Sequence, residues 1–234
     1  MNLLLFIQPD AGSVITQITE VPVNETVATI NIWDLALKGG WLMIPIALLL
    51  FIAIAILIER ILVIQKSDKE DPTFMNRIKD YIHEGRIDSA INLCRMTNTP
   101  ISRMIEKGIS RLGRPMNDIL VAIENVGNIE VAKLEKGFTL VATAAATSPM
   151  LGFLGTVTGM VRAFFAMANA GSNVDITLLS SGIYEALVTT VAGLIAGVIA
   201  LFAYNYLVAQ VNRTINKMET RSMEFMDLLN EPTK

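Results

Sequence analysis

"SPMLGFLGTVTGM", Ser148 to Met160, carries no charge and is apolar enough for a membrane. Yet it holds one proline, three glycines and two threonines. It lies inside a longer uncharged run, Gly137 to Val161, whose helix can continue past Arg162 toward Ala170. Two other stretches match it. Trp41 to Ile58 is uncharged, and as a helix it covers about 27 Å, close to a bilayer core. Ile176 to Val211 is broken only by Glu185. A buried helix of a soluble protein rarely stays uncharged over such lengths, so the chain is predicted to cross a membrane three times.

Composition agrees. Of 234 residues, 52% are hydrophobic and 18% charged, more apolar weight than one soluble core requires. A net charge of -3 argues against a nucleic-acid binder, which carries a basic stripe. The single cysteine, Cys94, excludes an intramolecular disulfide and is expected to be buried packing. The single histidine, His83, reads as a solvent-facing helix residue and argues against a histidine-rich metal site or a Ser-His-Asp triad. The start, "MNLLLFIQPD", has a short apolar run and no basic flank, so cleavage as a signal peptide is not expected.

Lysines and arginines give the orientation. Twelve fall between Gln65 and Lys136, against one, Lys38, in the first forty residues and none from Met167 to Thr177. Arg60, Lys66, Lys133 and Lys136 flank the spans on the same side. The positive-inside rule then puts the N-terminus outside and the middle segment and tail in the cytoplasm. The expected organisation is an outer arm (1–40), a first span (41–64), a cytoplasmic helical segment (65–136), a second span (137–169), an outer loop (170–177), a third span (178–207) and a cytoplasmic helix (208–234). Within the arm, Asn31 to Trp41 reads as a short interfacial helix, since Trp33 and Trp41 suit the headgroup level.

The cytoplasmic segment reads as helices with short breaks. Phe74, Ile78, Tyr81 and Ile82 recur at helical spacing. Gly85 makes a break, Asp88 is the expected cap of the next helix, Pro100 starts another and Gly113 to Pro115 stops it. From Met116 the pattern Ile119, Ile123, Val126, Ile129, Leu134 predicts one helix running on into the second span. In the tail Val208, Val211, Ile215, Met218, Phe225 and Leu229 form a heptad-like stripe, expected to pack on neighbouring cytoplasmic helices.

The small residues have a reason. In lipid, helices are held by close backbone approach rather than by water expulsion. Gly155 and Gly159 form one GxxxG pair, Gly193 and Gly197 another, and Gly152, Thr156, Gly159 and Ala163 share a face. Pro149 is expected to loosen the helix near Ala145. Packing explains the glycines but not the third span, where Ser181, Glu185 and Thr189 fall at i, i+4 and i+8 with Thr190 beside them. Thr156 and Thr190 each lie twelve residues from the outer ends of their spans, about 18 Å deep, and Glu185 about 10 Å deep. An ionisable group there faces a cavity, a partner or an ion path. Glu185 either faces a hydrated lumen or pairs with Arg162 near the same outer end. Three helices enclose little lumen, whereas a cyclic ring of subunits encloses more.

"SPMLGFLGTVTGMVRAF" and "GIYEALVTTVAGLIAGVIALFAYN" together resemble the two signature spans of the MotA/TolQ/ExbB proton-channel family, and the resemblance extends over nearly the whole chain. It is closer to the ExbB and TolQ branches, since MotA has four spans. The resemblance implies an all-α membrane protein assembling as a homopentamer in the bacterial inner membrane. Two single-span helices of an ExbD-like partner would occupy the pore, their aspartate being the main proton carrier. Thr156 and Thr190 match the family's pore-facing threonines, and Glu185 its third-span glutamate. The implied work is to convert proton entry into movement that energises a TonB-like transducer, or the Tol-Pal system for a TolQ-like chain. No cofactor is implied.

Competing functions leave other traces. A pure membrane scaffold would need the glycines but not Glu185 or the threonines. A small-solute transporter would favour an internal repeat and broken helices, and no repeat is found. An enzyme would need a nucleophile, a metal cluster or a phosphate loop, and the sequence offers none.

Overall fold

A computed structural model describes residues 39–67, 71–169 and 176–230. The interfacial helix expected over Asn31 to Trp41 lies, apart from its last three residues, outside them, as does most of the expected 170–177 loop. Among the described residues the chain is all-helical. The helices are α1 (Met43–Ser67), α2 (Phe74–His83), α3 (Ile87–Thr97), α4 (Pro100–Ile109), α5 (Met116–Leu134), α6 (Phe138–Asn169) and α7 (Ile176–Asn230). Three of them, α1, α6 and α7, are long and apolar enough to cross a membrane.

Helix α7 joins the two halves of the molecule. Its first part lies against α6 along the dominant helix contact, with α1 packed on both. Here the core is small: Ala53, Val141, Ala144, Ala200 and Ala203 are all buried. Below it Ile64, Leu134, Phe138, Leu207 and Val211 form a second layer. The last part of α7 then enters a separate bundle with α2–α5, where Phe74, Ile78, Ile105, Ile109, Ile123, Met218 and Phe225 are buried together. The tail stripe thus packs within the chain, as its spacing predicts.

Local signals set the bundle's turns. Helix α4 begins with Pro100 at the first helical position, where a missing N–H costs nothing. The Ser102 N–H donates to Thr99 Oγ1 at 3.2 Å and the Thr99 N–H to Ser102 Oγ at 2.8 Å, a reciprocal cap. Helix α3 departs from expectation, because Arg86 occupies the N-cap and Asp88 lies in the first turn. A carboxylate is favourable there too, beside the positive end of the helix dipole.

The unbroken helix expected from Met116 into the second span is not found. Helix α5 ends at Leu134, and Gly137 adopts a φ of +89° before α6 starts at Phe138. A left-handed residue ends a helix, and only glycine takes that conformation without strain. Next to this break Arg60 of α1, itself buried, donates to the Lys133 carbonyl at 3.1 Å and pairs with Glu59. Buried Glu130 accepts from Lys133 Nζ at 2.7 Å and from Arg103 of α4, which also donates to Asn98 at the end of α3. Burial opposes ionisation of Glu130, but the Arg103 and Lys133 hydrogen bonds outweigh it and hold its carboxyl below the ordinary value. Burial pushes the Cys94 thiol up to about 12, with the Glu106 charge adding to the shift.

Candidate functional site

The α6–α7 seam brings the polar and small residues together. A β-carbon at Gly193 would lie 2.6 Å from the Ser148 carbonyl oxygen and 2.8 Å from Gly152 Cα. At Gly152 it would lie 3.1 Å from Thr190 Cα, at Gly155 2.5 Å from Thr189 Cγ2, and at Gly159 2.8 Å from Ala186 Cβ. The two helices therefore meet at three successive levels, with room for hydrogen only at the glycines. Gly197 fits against Pro149, whose Cγ would lie 2.5 Å from an added β-carbon. Pro149 stays inside a continuous α6. It deprives the Ala145 carbonyl of its usual donor, and that oxygen lies against Gly197.

The hydroxyls divide into two kinds. Thr190 Oγ1 donates across the seam to the Gly152 carbonyl at 2.8 Å. Thr189 is only 2% exposed, and its hydroxyl reaches the Gly39 carbonyl at 2.8 Å and the Glu185 carbonyl at 2.9 Å. Thr156 is half-buried and donates to the Phe153 carbonyl at 2.6 Å within its own helix. Ser148, fully buried, donates to the Ala144 carbonyl at 2.7 Å.

The charged pair is at the other end of the seam. Arg162 Nη1 lies 3.9 Å from Glu185 Oε1, with side-chain exposures of 61% and 38% in the single chain. That separation is a long ion pair rather than a hydrogen bond, so it only partly compensates either charge. Ser181 is exposed, Glu185 intermediate and Thr189 buried. The reason is helix geometry: four residues advance an α-helix about 40° beyond a full turn. The i, i+4, i+8 stripe therefore winds from the open surface into the subunit.

Gly39, Gly40, Ser148 and Gly182 are parts of the seam that spacing alone did not single out. Gly182 faces Ala163, whose Cβ would lie 2.8 Å from an added β-carbon. The signal for it was Gly182 three residues before Glu185. Among the described residues no group of three metal-ligating side chains is found.

A membrane hairpin closed by glycine, with threonines and an ion pair along it, is a combination that comparison with known proteins places. The family that matches is the MotA/TolQ/ExbB proton channel family, over residues 96–220, more than half of the chain. The chain is 30% identical over 188 residues to ExbB-like 1 of Synechocystis, covering 77% of this chain and 72% of that protein. It is 28% identical over 148 residues to an ExbB homolog of Methanothermobacter thermautotrophicus, 63% of this chain and about half (52%) of that one. It is 27% identical over 201 residues to the Tol-Pal system protein TolQ of Haemophilus influenzae, 79% of this chain and 87% of that one. This chain belongs to the MotA/TolQ/ExbB proton channel family. It is a multi-pass membrane protein of a channel family and not an enzyme.

Proposed function

We propose that the chain is an ExbB-like subunit of an inner-membrane proton motor. A homopentamer surrounds two single-span helices of an ExbD-like partner and drives a TonB-like transducer for outer-membrane uptake. The N-terminus lies outside, and α2–α5 with the end of α7 form the cytoplasmic part. The observation that carries this reading is the exposure of Arg162 and Glu185 on spanning helices of the isolated subunit. Hydrocarbon does not accommodate such groups, and they call for a polar surface supplied by other chains. Thr156, Thr190 and Ser181 extend that polar wall along the axis, backed by Thr189 from inside the subunit.

The energetics are adequate. One proton crossing 100 mV releases about 2.3 kcal/mol, enough to bias a ring whose positions differ by a few kcal/mol. A fivefold wall around a twofold partner cannot satisfy every contact at once, so nearly equal positions can follow one another.

The test is native mass spectrometry of the full chain co-expressed with an ExbD-like single-span protein from the same genome, joined to an uptake assay. A pentamer holding the partner is expected. Thr156→Ala should lower energy-coupled uptake while leaving the assembly intact. Stable monomers that ignore the partner, or full uptake without the hydroxyl, would refute the reading. A TolQ-like role in the Tol-Pal system is the second reading, favoured by the long match to the Haemophilus protein. Recovery of a TolA-like rather than a TonB-like transducer with the complex decides for it.

A further inference from the structure

The turn that leads into the first span is built around Glu185. Gly40 adopts a φ of +69°, and a β-carbon placed there would collide with Glu185 Oε1 and lie 3.1 Å from Cδ. The carboxylate therefore rests against a bare α-carbon. One residue earlier the Gly39 carbonyl accepts the Thr189 hydroxyl at 2.8 Å, a bond between positions 150 residues apart. Gly39 is itself buried and confined, since an added β-carbon would lie 2.5 Å from Met43 Cγ and 3.5 Å from Val188 Cγ1. Two adjacent glycines thus meet two polar residues one turn apart on α7, each through a different contact. Arg162 Nη1 stands 3.9 Å from that same oxygen, Glu185 Oε1. Glu185 lies inside the family-matched residues 96–220, and the glycine turn lies outside them.

We propose that Gly39–Gly40 is a positioning latch that fixes the Glu185 carboxylate at the outer end of the proton path and ties it to the turn that enters the first span. This rests on the proton-motor reading of Glu185. Any side chain at position 40 displaces the carboxylate, and the Thr189 hydroxyl holds the turn to α7 through the Gly39 carbonyl. Gly40 is a positioning residue, because it acts through Glu185.

The experiment is a double-variant cycle in the full chain with its partner, reading thermal unfolding of the purified complex and energy-coupled uptake in cells carrying the same substitutions. Gly40→Ala introduces both a strained backbone and a collision. Gly85→Ala introduces the strain alone, because Gly85 has a φ of +71° and nothing within 4 Å of an added β-carbon. Gly40→Ala should therefore lower Tm by roughly 4 °C more than Gly85→Ala does. It should also lower uptake about ten- to a hundredfold, the usual effect of misplacing a functional group by an ångström, while Gly85→Ala leaves uptake unchanged. Glu185→Asp withdraws the carboxylate by one methylene. Combined with Gly40→Ala it should abolish the extra loss in Tm and raise uptake above that of Gly40→Ala alone. If Gly40→Ala fails to accumulate, restored accumulation on adding Glu185→Asp reads the same contact. Additive effects in both assays, or coupling in Tm with none in uptake, would overturn the latch. Normal uptake with Glu185→Ala alone would instead overturn the proton-motor assignment of that residue, and the Tm cycle would still decide whether the contact exists.

Discussion

Helix α7 passes through two environments, and its side chains change with them. Between Gly182 and Gly197 it meets α6 through glycines, alanines and a threonine, with the backbones touching. From Leu207 to Leu228 it packs through large side chains, Leu207 and Val211 in the layer with Ile64, Leu134 and Phe138, and Met218, Phe225 and Leu228 in the α2–α5 bundle. Water around the bundle makes burial of large side chains favourable, by about 25 cal/mol per Å² of apolar surface. Lipid offers no such gain, so the hairpin depends on contact distance and on hydrogen bonds between helices. One helix thus carries two packing modes, close backbone approach in its first part and large buried side chains in its last.

That contrast can be broken at either end. The largest effect is expected from Gly193→Leu, which places a branched side chain where a single β-carbon already meets the Ser148 carbonyl and Gly152 Cα. The hairpin should not close, and the protein should be lost from detergent extracts or run as an aggregate on size exclusion. A monodisperse variant of unchanged Tm would mean that close approach is not what holds α6 to α7. Next comes Phe225→Ala. Phe225 is 0% exposed, and removing a buried phenylalanine costs about 3–5 kcal/mol. Limited proteolysis should then cut within 71–134 while the spanning helices stay protected. Protection throughout would show that the bundle does not depend on its large side chains.

Smaller effects sharpen the comparison. Thr190→Val removes the hydroxyl donated to the Gly152 carbonyl, and interhelical bonds of this kind are worth roughly 1 kcal/mol in a membrane. A modest drop in Tm is expected, with a larger loss in coupled uptake; the reverse order would make Thr190 a packing residue alone. Glu130 gives an effect that depends on pH. Its carboxyl is held below the ordinary 4.5, so its stabilisation is present above that value and is lost as pH falls through the lowered folded value. Tm of the wild type should therefore fall as the solution is acidified through and below the ordinary carboxylate range, and Glu130→Gln should lose part of that slope. Identical pH profiles would show that Glu130 does not stabilise the bundle through its charge.

The three apolar helices were legible because an uncharged run of that length rarely occurs outside a bilayer. So were the bundle helices, from 3-4 spacing and from Pro100 at a helix start. The break at Gly137 was not, because a glycine at the start of an uncharged run reads equally as a packing glycine, and only its positive φ distinguishes the two. The site was partly legible. Spacing grouped Ser181, Glu185 and Thr189, but the 3.6-residue turn carries the third of these into the subunit. Gly39 and Gly40 were invisible to spacing, since their partners lie far along the chain.

The central claim is that the charged and hydroxyl groups of separate subunits face a shared hydrated axis. The most direct measurement is a cryo-electron microscopy map of the full chain with its co-purified partner in lipid nanodiscs. The account predicts a fivefold ring with Glu185 and Thr156 turned toward the partner helices at its centre. A map in which those side chains point outward to lipid, or in which the central opening beside them is lined by hydrocarbon alone, would contradict it.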